Sequence, residues 1–155
     1  MKNPSSDVAF TPSVKTIQRR LGSRRNYESM EERGGFAVDM TQGLADFIGE
    51  RTSLYLGTAS AEGRPYVQHR GGPAGFLKVL GPRTLAMADY VGNRQYISMG
   101  NLAENDQAFL FLMDYANRVR FKLWGRARFV EHDTELLAAV HDSSVNTHTE
   151  RALVF

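Results

Sequence analysis

The sequence predicts a mainly β domain with flanking helices, in which six antiparallel strands close into a small barrel. Three observations predict it. Residues 53–60 and 65–70, and again 76–80 and 84–88, read as strand pairs joined by short Gly- or Pro-containing turns. Helical spacing is confined to short segments around these pairs, giving the order helix, four strands, helix, two strands, helix. Consecutive hairpins of this kind close most easily into a barrel, because closure removes exposed strand edges. The 155 residues, 42% hydrophobic and 23% charged, fit one globular domain with a core of its own.

Taken in order, Pro4, Ser5, Ser6, Pro12 and Ser13 punctuate the start. Val14, Ile17 and Leu21 then recur at helical spacing, so one short amphipathic helix is expected in an arm over 1–35, followed by a barrel domain over 36–155. Met40, Leu44, Phe47 and Ile48 lie on one face of a second helix, with Asp39 or Thr41 as its N-cap. In the first hairpin Ala61-Glu62-Gly63-Arg64 is the turn, and in the second Gly81-Pro82-Arg83, where Pro82 suits the first inner position. Tyr96, Met99 and Leu102 or Ala103 mark a helix between 95 and 104. A strand over 109–113 and one long strand over 118–130 follow. His132-Asp133-Thr134 starts a last helix, with Leu136, Leu137 and Val140 facing the core.

Composition excludes several classes. Without cysteine there is no disulfide framework, thiolate metal site or cysteine nucleophile. The longest apolar run, 108–113, is too short to span a bilayer, and the N-terminus lacks a secretion signal, so a cytoplasmic protein with no membrane partner is expected. The net charge of +2 is uneven: residues 1–35 hold seven Lys/Arg against four Asp/Glu, and the rest twelve against thirteen. Arg19, Arg20, Arg24 and Arg25 could track phosphates, but a solvated helix face or a partner-binding arm is the plainer reading, and nucleic acid is not expected.

Eight of the 14 glycines fall between Gly57 and Gly100, most densely in Arg70-Gly71-Gly72-Pro73-Ala74-Gly75. Bare backbone lets a chain approach a planar or anionic ligand closely, although such a run also serves as a plain connector. No Gly-Lys-Ser/Thr follows, and no G-x-G-x-x-G opens a helix, which disfavours the common ATP and dinucleotide folds. A second candidate is Ala88-Asp89-Tyr90-Val91-Gly92-Asn93-Arg94-Gln95, running from a strand into a helix. There Asn93 can cap, Arg94 can fork onto a phosphate, and first-turn amides add positive potential; an ordinary helix start is the alternative.

Gly63-Arg64-Pro65-Tyr66, His69-Arg70-Gly71-Gly72-Pro73, Gly75-Phe76, Thr84-Leu85-Ala86, Gly92-Asn93-Arg94, Asn101-Leu102-Ala103-Glu104-Asn105 and Phe109-Leu110-Phe111-Leu112 together resemble the pyridoxamine 5′-phosphate oxidase-like flavoproteins over roughly residues 50–130. The N-terminal arm looks like the extension of an uncharacterised bacterial subgroup. The resemblance implies an FMN-binding split barrel and a homodimer with flavin at the subunit interface. It implies that Gln68, His69, Arg70, Gly71 and Gly72 lie along the flavin ring, and that Arg94, with Asn93 and Gln95, meets the phosphate. Ala88 and Asp89 fall where the family places a Tyr-Thr pair near the flavin, and Arg120 aligns with a flavin-holding glutamine.

The sequence also departs from the true oxidases. Gln68 and Pro73 stand where they carry an arginine and a lysine, and Gln95 replaces the lysine of their phosphate-binding pair. The chain stops at Phe155 before their C-terminal Trp- and Arg-bearing segment, so residues 151–155 read as a strand cut off as it begins, in a shortened chain. Pyridoxamine 5′-phosphate oxidation itself is therefore not expected. What remains is flavin hydride or electron transfer on an unidentified small molecule, with a nicotinamide donor possible. The alternative is a non-catalytic protein that binds, stores or senses flavin, deazaflavin or haem.

Among single residues, His69 could donate a proton near the flavin or be a structural strand residue. His132, His141 and His148 lack metal-ligand spacing and read as surface residues, so no metal site is expected. Trp124 is expected in a core or a dimer interface. Ser98 has no partner that would make it a nucleophile.

Overall fold

The computed structural model describes residues 3–145 and 148–155, which form two units, one reaching to Met40 and the other beginning at Thr41. In the first, a 3₁₀ turn (Ser5–Val8) precedes α1 (Pro12–Arg20) and α2 (Arg24–Glu32). Pro12 begins α1, where its missing N–H costs nothing, and Thr11 Oγ1 accepts from the Val14 amide at 3.4 Å.

The sequence pattern gave no sign of α2, whose stretch carries no apolar stripe. Charge organises it instead. Arg24 is buried and bonds Glu31, Glu28 (3.1 Å) and Gln18 (2.9 Å). One of the four arginines expected to face phosphate or solvent is therefore an internal tie. Phe10 packs edge-on against Tyr27 and Phe36, at 5.0 and 5.5 Å. The apolar stripe of α1 is only partly covered, with Ile17 47% and Leu21 69% exposed.

The second unit begins with α3 (Gln42–Gly49), capped by Thr41 rather than Asp39: Thr41 Oγ1 accepts from the Leu44 amide at 3.2 Å. Strands β1 (Ser53–Ala59), β2 (Pro65–Gly71), β5 (Gln107–Asp114) and β6 (Val119–Arg126) form one antiparallel sheet in the order β2-β1-β5-β6. Strands β3 (Lys78–Gly81), β4 (Thr84–Tyr90), β7 (Arg128–Val130) and β8 (Thr149–Val154) form a second, ordered β3-β4-β8-β7. Helix α4 (Ile97–Glu104) follows β4, and α5 (Thr134–Val140) precedes β8. Asp133 caps α5, accepting from the Leu136 amide at 2.9 Å.

The mainly β architecture is the expected one, but the strands among the described residues number eight rather than six. The long strand expected over 118–130 breaks at buried Ala127, whose amide donates to Asp106 O at 2.8 Å, and its two parts join different sheets. Residues 151–154 lie in β8. β8 is paired on both sides, with β4 and β7, and Phe155 exchanges two 2.8 Å backbone bonds with Leu85. A Cβ on Gly125 would stand 2.7 Å from the Phe155 ring, so a side chain there would have to displace that ring.

Period-two alternation sorts the side chains. Leu54, Leu56, Leu110 and Leu112 of the first sheet and Leu85, Met87 and Leu153 of the second are buried core. On the opposite face of the second sheet, Ala86, Ala88, Ala152 and Val154 pack with Leu136, Leu137 and Val140 of α5.

Candidate functional site

A cleft of about 200 Å³ lies between the inward face of β2 and the β4–α4 connection. Tyr66, Gln68 and Arg70 reach it because they share one phase of β2, and Asp89 and Tyr90 reach it from the end of β4. Residues 91–96 form its rim, Ser98 and Met99 of α4 one wall, and Phe129 and Arg151 complete it. A larger groove of about 450 Å³ runs past Glu50, Arg51 and Asp114. Its charges satisfy each other, Arg51 Nη1 standing 2.9 Å from Asp114 Oδ2. The smaller cleft, where arginine exceeds carboxylate, is the candidate site.

The rim is locally strained. Arg94 and Tyr96 have φ of 58° and 54°, in the left-handed region that favours glycine. Asn93 does not cap α4: its Oδ1 accepts from the Gln95 amide at 3.2 Å in a local turn, and the helix begins three residues later than that role requires. Tyr96 holds the cap position without a side-chain bond, leaving the first-turn amides of α4 uncapped beside the cleft. Ser98 Oγ donates to Gln68 Oε1 at 2.9 Å, which fixes β2 against α4.

At the floor, Asp89 is 7% exposed and both its oxygens are used. Oδ1 accepts from Arg70 Nη1, and Oδ2 accepts from Arg151 Nε at 2.9 Å. Arg151 Nη1 also meets Glu150 Oε2 at 2.9 Å, and its guanidinium lies 5.4 Å from the Tyr96 ring. Arg70 lies 5.9 Å from the Phe129 ring, and its Nε is buried with no hydrogen-bond partner.

Of the residues singled out in the sequence, Gln68, Arg70, Asp89, Asn93, Arg94 and Gln95 are brought together here. The other five are not. His69 takes the opposite phase of β2, exposed, with its ring against Tyr55 at 5.6 Å. Gly71 and Gly72 turn beside Thr52, whose carbonyl accepts from the Gly72 amide at 3.0 Å, and a Cβ on Gly72 would meet Phe76 Cβ at 2.6 Å. Ala88 packs toward α5, and Arg120 is exposed on β6 opposite Met113. Arg151 and Phe129 line the cleft from outside every sequence motif, and Tyr66 and Tyr90 line it from within two of them. A signal for Arg151 existed: a lone arginine entering the apolar run 151–155 must find a buried counter-charge, as must Asp89 at the end of its own apolar strand.

Residues 40–152 match the family profile described as pyridoxamine 5′-phosphate oxidase. No protein of curated function matches the sequence. Among solved structures, HupZ of Group A Streptococcus is 13% identical, with 75% of this chain and 87% of that one covered and a TM-score of 0.61. A Clostridium acetobutylicum protein related to general stress protein 26, of the pyridoxinephosphate oxidase family, is 15% identical over 71% and 78%, with a TM-score of 0.52. An F420 reductase is 14% identical over 74% and 92%, with a TM-score of 0.51. These likenesses establish the shared fold. Among the described residues no helix is long and apolar enough to cross a membrane.

Proposed function

The chain belongs to the pyridoxamine 5′-phosphate oxidase family, and from that premise we propose that it is a cytoplasmic flavoprotein that holds FMN in the cleft beside α4 and acts as an oxidoreductase on a small molecule. The observation that carries this reading is the composition of the cleft. Its lining combines a cation, two amide side chains and uncapped helix amides, at Arg94, Asn93, Gln95 and the start of α4, with the aromatic side chains of Tyr66, Tyr90 and Phe129. A phosphate-tailed planar group needs those two environments side by side. Bound flavin would supply the hydride or electron transfer. The chain's part is to neutralise the phosphate at Arg94, to orient the ring with Gln68, itself held by Ser98, and to shape the space beside it.

We propose further that the protein is a homodimer built on the outer face of the first sheet, the face of β2 opposite the cleft, rather than the dimer with flavin at the subunit interface that the resemblance implies. Two rows cross that face, His69–Tyr55–Phe111–Lys122 and Val67–Gly57–Phe109–Trp124. Val67 is 64% and Trp124 38% exposed, an apolar, aromatic surface that a second copy would cover.

A second reading is binding or storage without turnover. It is favoured by Asp89, the one carboxylate among the described cleft residues, whose two oxygens are both taken by arginine N–H groups and so are not turned toward a bound molecule. Reduction of the bound flavin by a nicotinamide donor separates the two readings, since a store need not accept hydride.

The test compares FMN with riboflavin by fluorescence titration, in the wild type and in Arg94→Gly, a change that suits the positive φ of that residue. FMN is expected to bind about tenfold or more tighter than riboflavin, and the variant to erase most of the difference. Equal affinities in the wild type would remove Arg94 from the phosphate site.

A further inference from the structure

Two arginines converge on Asp89 where a structural ion pair needs one. Each guanidinium carries five N–H donors. Arg70 gives Nη1 to Asp89, while Arg151 gives Nε to Asp89 and Nη1 to Glu150. Asp89 and Glu150 balance the two charges, and Arg94 at the rim then leaves the cleft positive. The rings of Tyr96 and Phe129 flank the two guanidiniums, at 5.4 and 5.9 Å, and together with Asp89 they hold the planes in fixed orientations. The protein does not fully satisfy Arg70, whose buried Nε has no acceptor. An unmade bond at a buried donor is costly and calls for an explanation in function or in a missing ligand.

We infer that Arg70 and Arg151, gathered by Asp89, form an oxyanion subsite at the floor of the cleft, distinct from the Arg94 end, which receives the carboxylate or phosphate of the small molecule that works against the cofactor. The inference rests on reading the cleft as the cofactor's place, and it defines the substrate class as a small organic anion. Asp89 acts as a positioning residue: it takes Nη1 of Arg70 and Nε of Arg151, Glu150 takes Nη1 of Arg151, and the two Nη2 groups remain for a planar or tetrahedral oxyanion. The resemblance assigned Asp89 to the flavin; the geometry assigns it to the arginines.

The test titrates the purified protein by calorimetry with inorganic phosphate and with acetate, both flavin-loaded and stripped. One anion site per chain is expected in the flavin-loaded form. Arg70→Gln and Arg151→Gln are expected to weaken binding about tenfold or more, while Arg19→Gln, an exposed arginine of α1, leaves it unchanged. Tighter phosphate or tighter acetate identifies which oxyanion the subsite prefers. If neither anion binds, or both variants bind as the wild type does, the inference fails. It fails equally if flavin loading abolishes anion binding, or if Arg151→Gln removes the preference for FMN over riboflavin, since the arginines would then hold the cofactor's own phosphate. A protein that binds no flavin but loses phosphate binding in Arg70→Gln would sink the cofactor reading and keep the subsite. Arg151 lies inside a sheet, so Arg70→Gln, on the edge strand β2, decides the matter if the other variant does not fold.

Discussion

Asp89 and Arg151 stand 62 residues apart in the chain and directly opposite each other on β4 and β8, with Arg151 Nε donating to Asp89 Oδ2 at 2.9 Å. Arg70 reaches the other carboxylate oxygen from the first sheet, so a single aspartate ties three strands and both sheets together. Asp89→Ala is therefore expected to cost about 3–5 kcal/mol, because it leaves half-buried Arg70 without a counter-charge and buried Arg151 with Glu150 alone. Urea denaturation measures this. A loss below about 1 kcal/mol would mean that water already screens the cluster. Arg70→Gln should cost less, since Asp89 keeps Arg151.

The glycines separate into those that need bare backbone and those that do not. At Gly72 a Cβ would sit 2.6 Å from that of buried Phe76, so Gly72→Ala is expected to destabilise by about 1–3 kcal/mol. Loss of ligand in a Gly72 variant would thus report on folding before it reported on flavin contact. Gly100 lies inside α4 with open space around its Cβ position, and Gly100→Ala is expected to stabilise by about 0.5–1 kcal/mol. Thermal melts of the two variants should move in opposite directions.

Acid should weaken the β5–β6 turn. Asp114 accepts from Asn117 Nδ2 and from the Asn117 amide, both at 3.0 Å, and pairs with Arg51. The Asn117 bonds above all, with Arg51 behind them, hold its carboxyl at about 2, below the usual 3.8. A depressed carboxylate contributes stability that is fully present above the unfolded value and is lost as pH falls from 3.8 toward about 2. The stability difference between wild type and Asp114→Asn is expected to shrink across that window. A difference independent of pH would contradict the assignment.

Much of this architecture is legible in the sequence, for a physical reason. Both hairpins, α3 and α5 announce themselves through local turn residues, caps and apolar spacing. What escapes is what local pattern cannot carry. α2 is held by Arg24 and its carboxylates rather than by an apolar face. The break at Ala127 depends on a bond to Asp106 far back in the chain. The pairing of β8 between β4 and β7 is long-range. At the site, strand phase decides membership: Gln68 and Arg70 face the cleft, while His69 between them faces outward, although the motif resemblance groups all three.

The outer face of the first sheet supplies a test of assembly. Val67→Asp places a charge on an exposed position of β2, and is expected to convert a dimer to a monomer in light scattering while leaving the far-ultraviolet circular dichroism unchanged. A wild type that is monomeric at high concentration would refute that interface.

Whether the cleft holds flavin is decided by the visible absorption spectrum of the purified protein, followed by chromatography of the cofactor released by acid. A yellow protein that releases FMN at about one per chain is expected. A colourless protein that also fails to take up added FMN would contradict it.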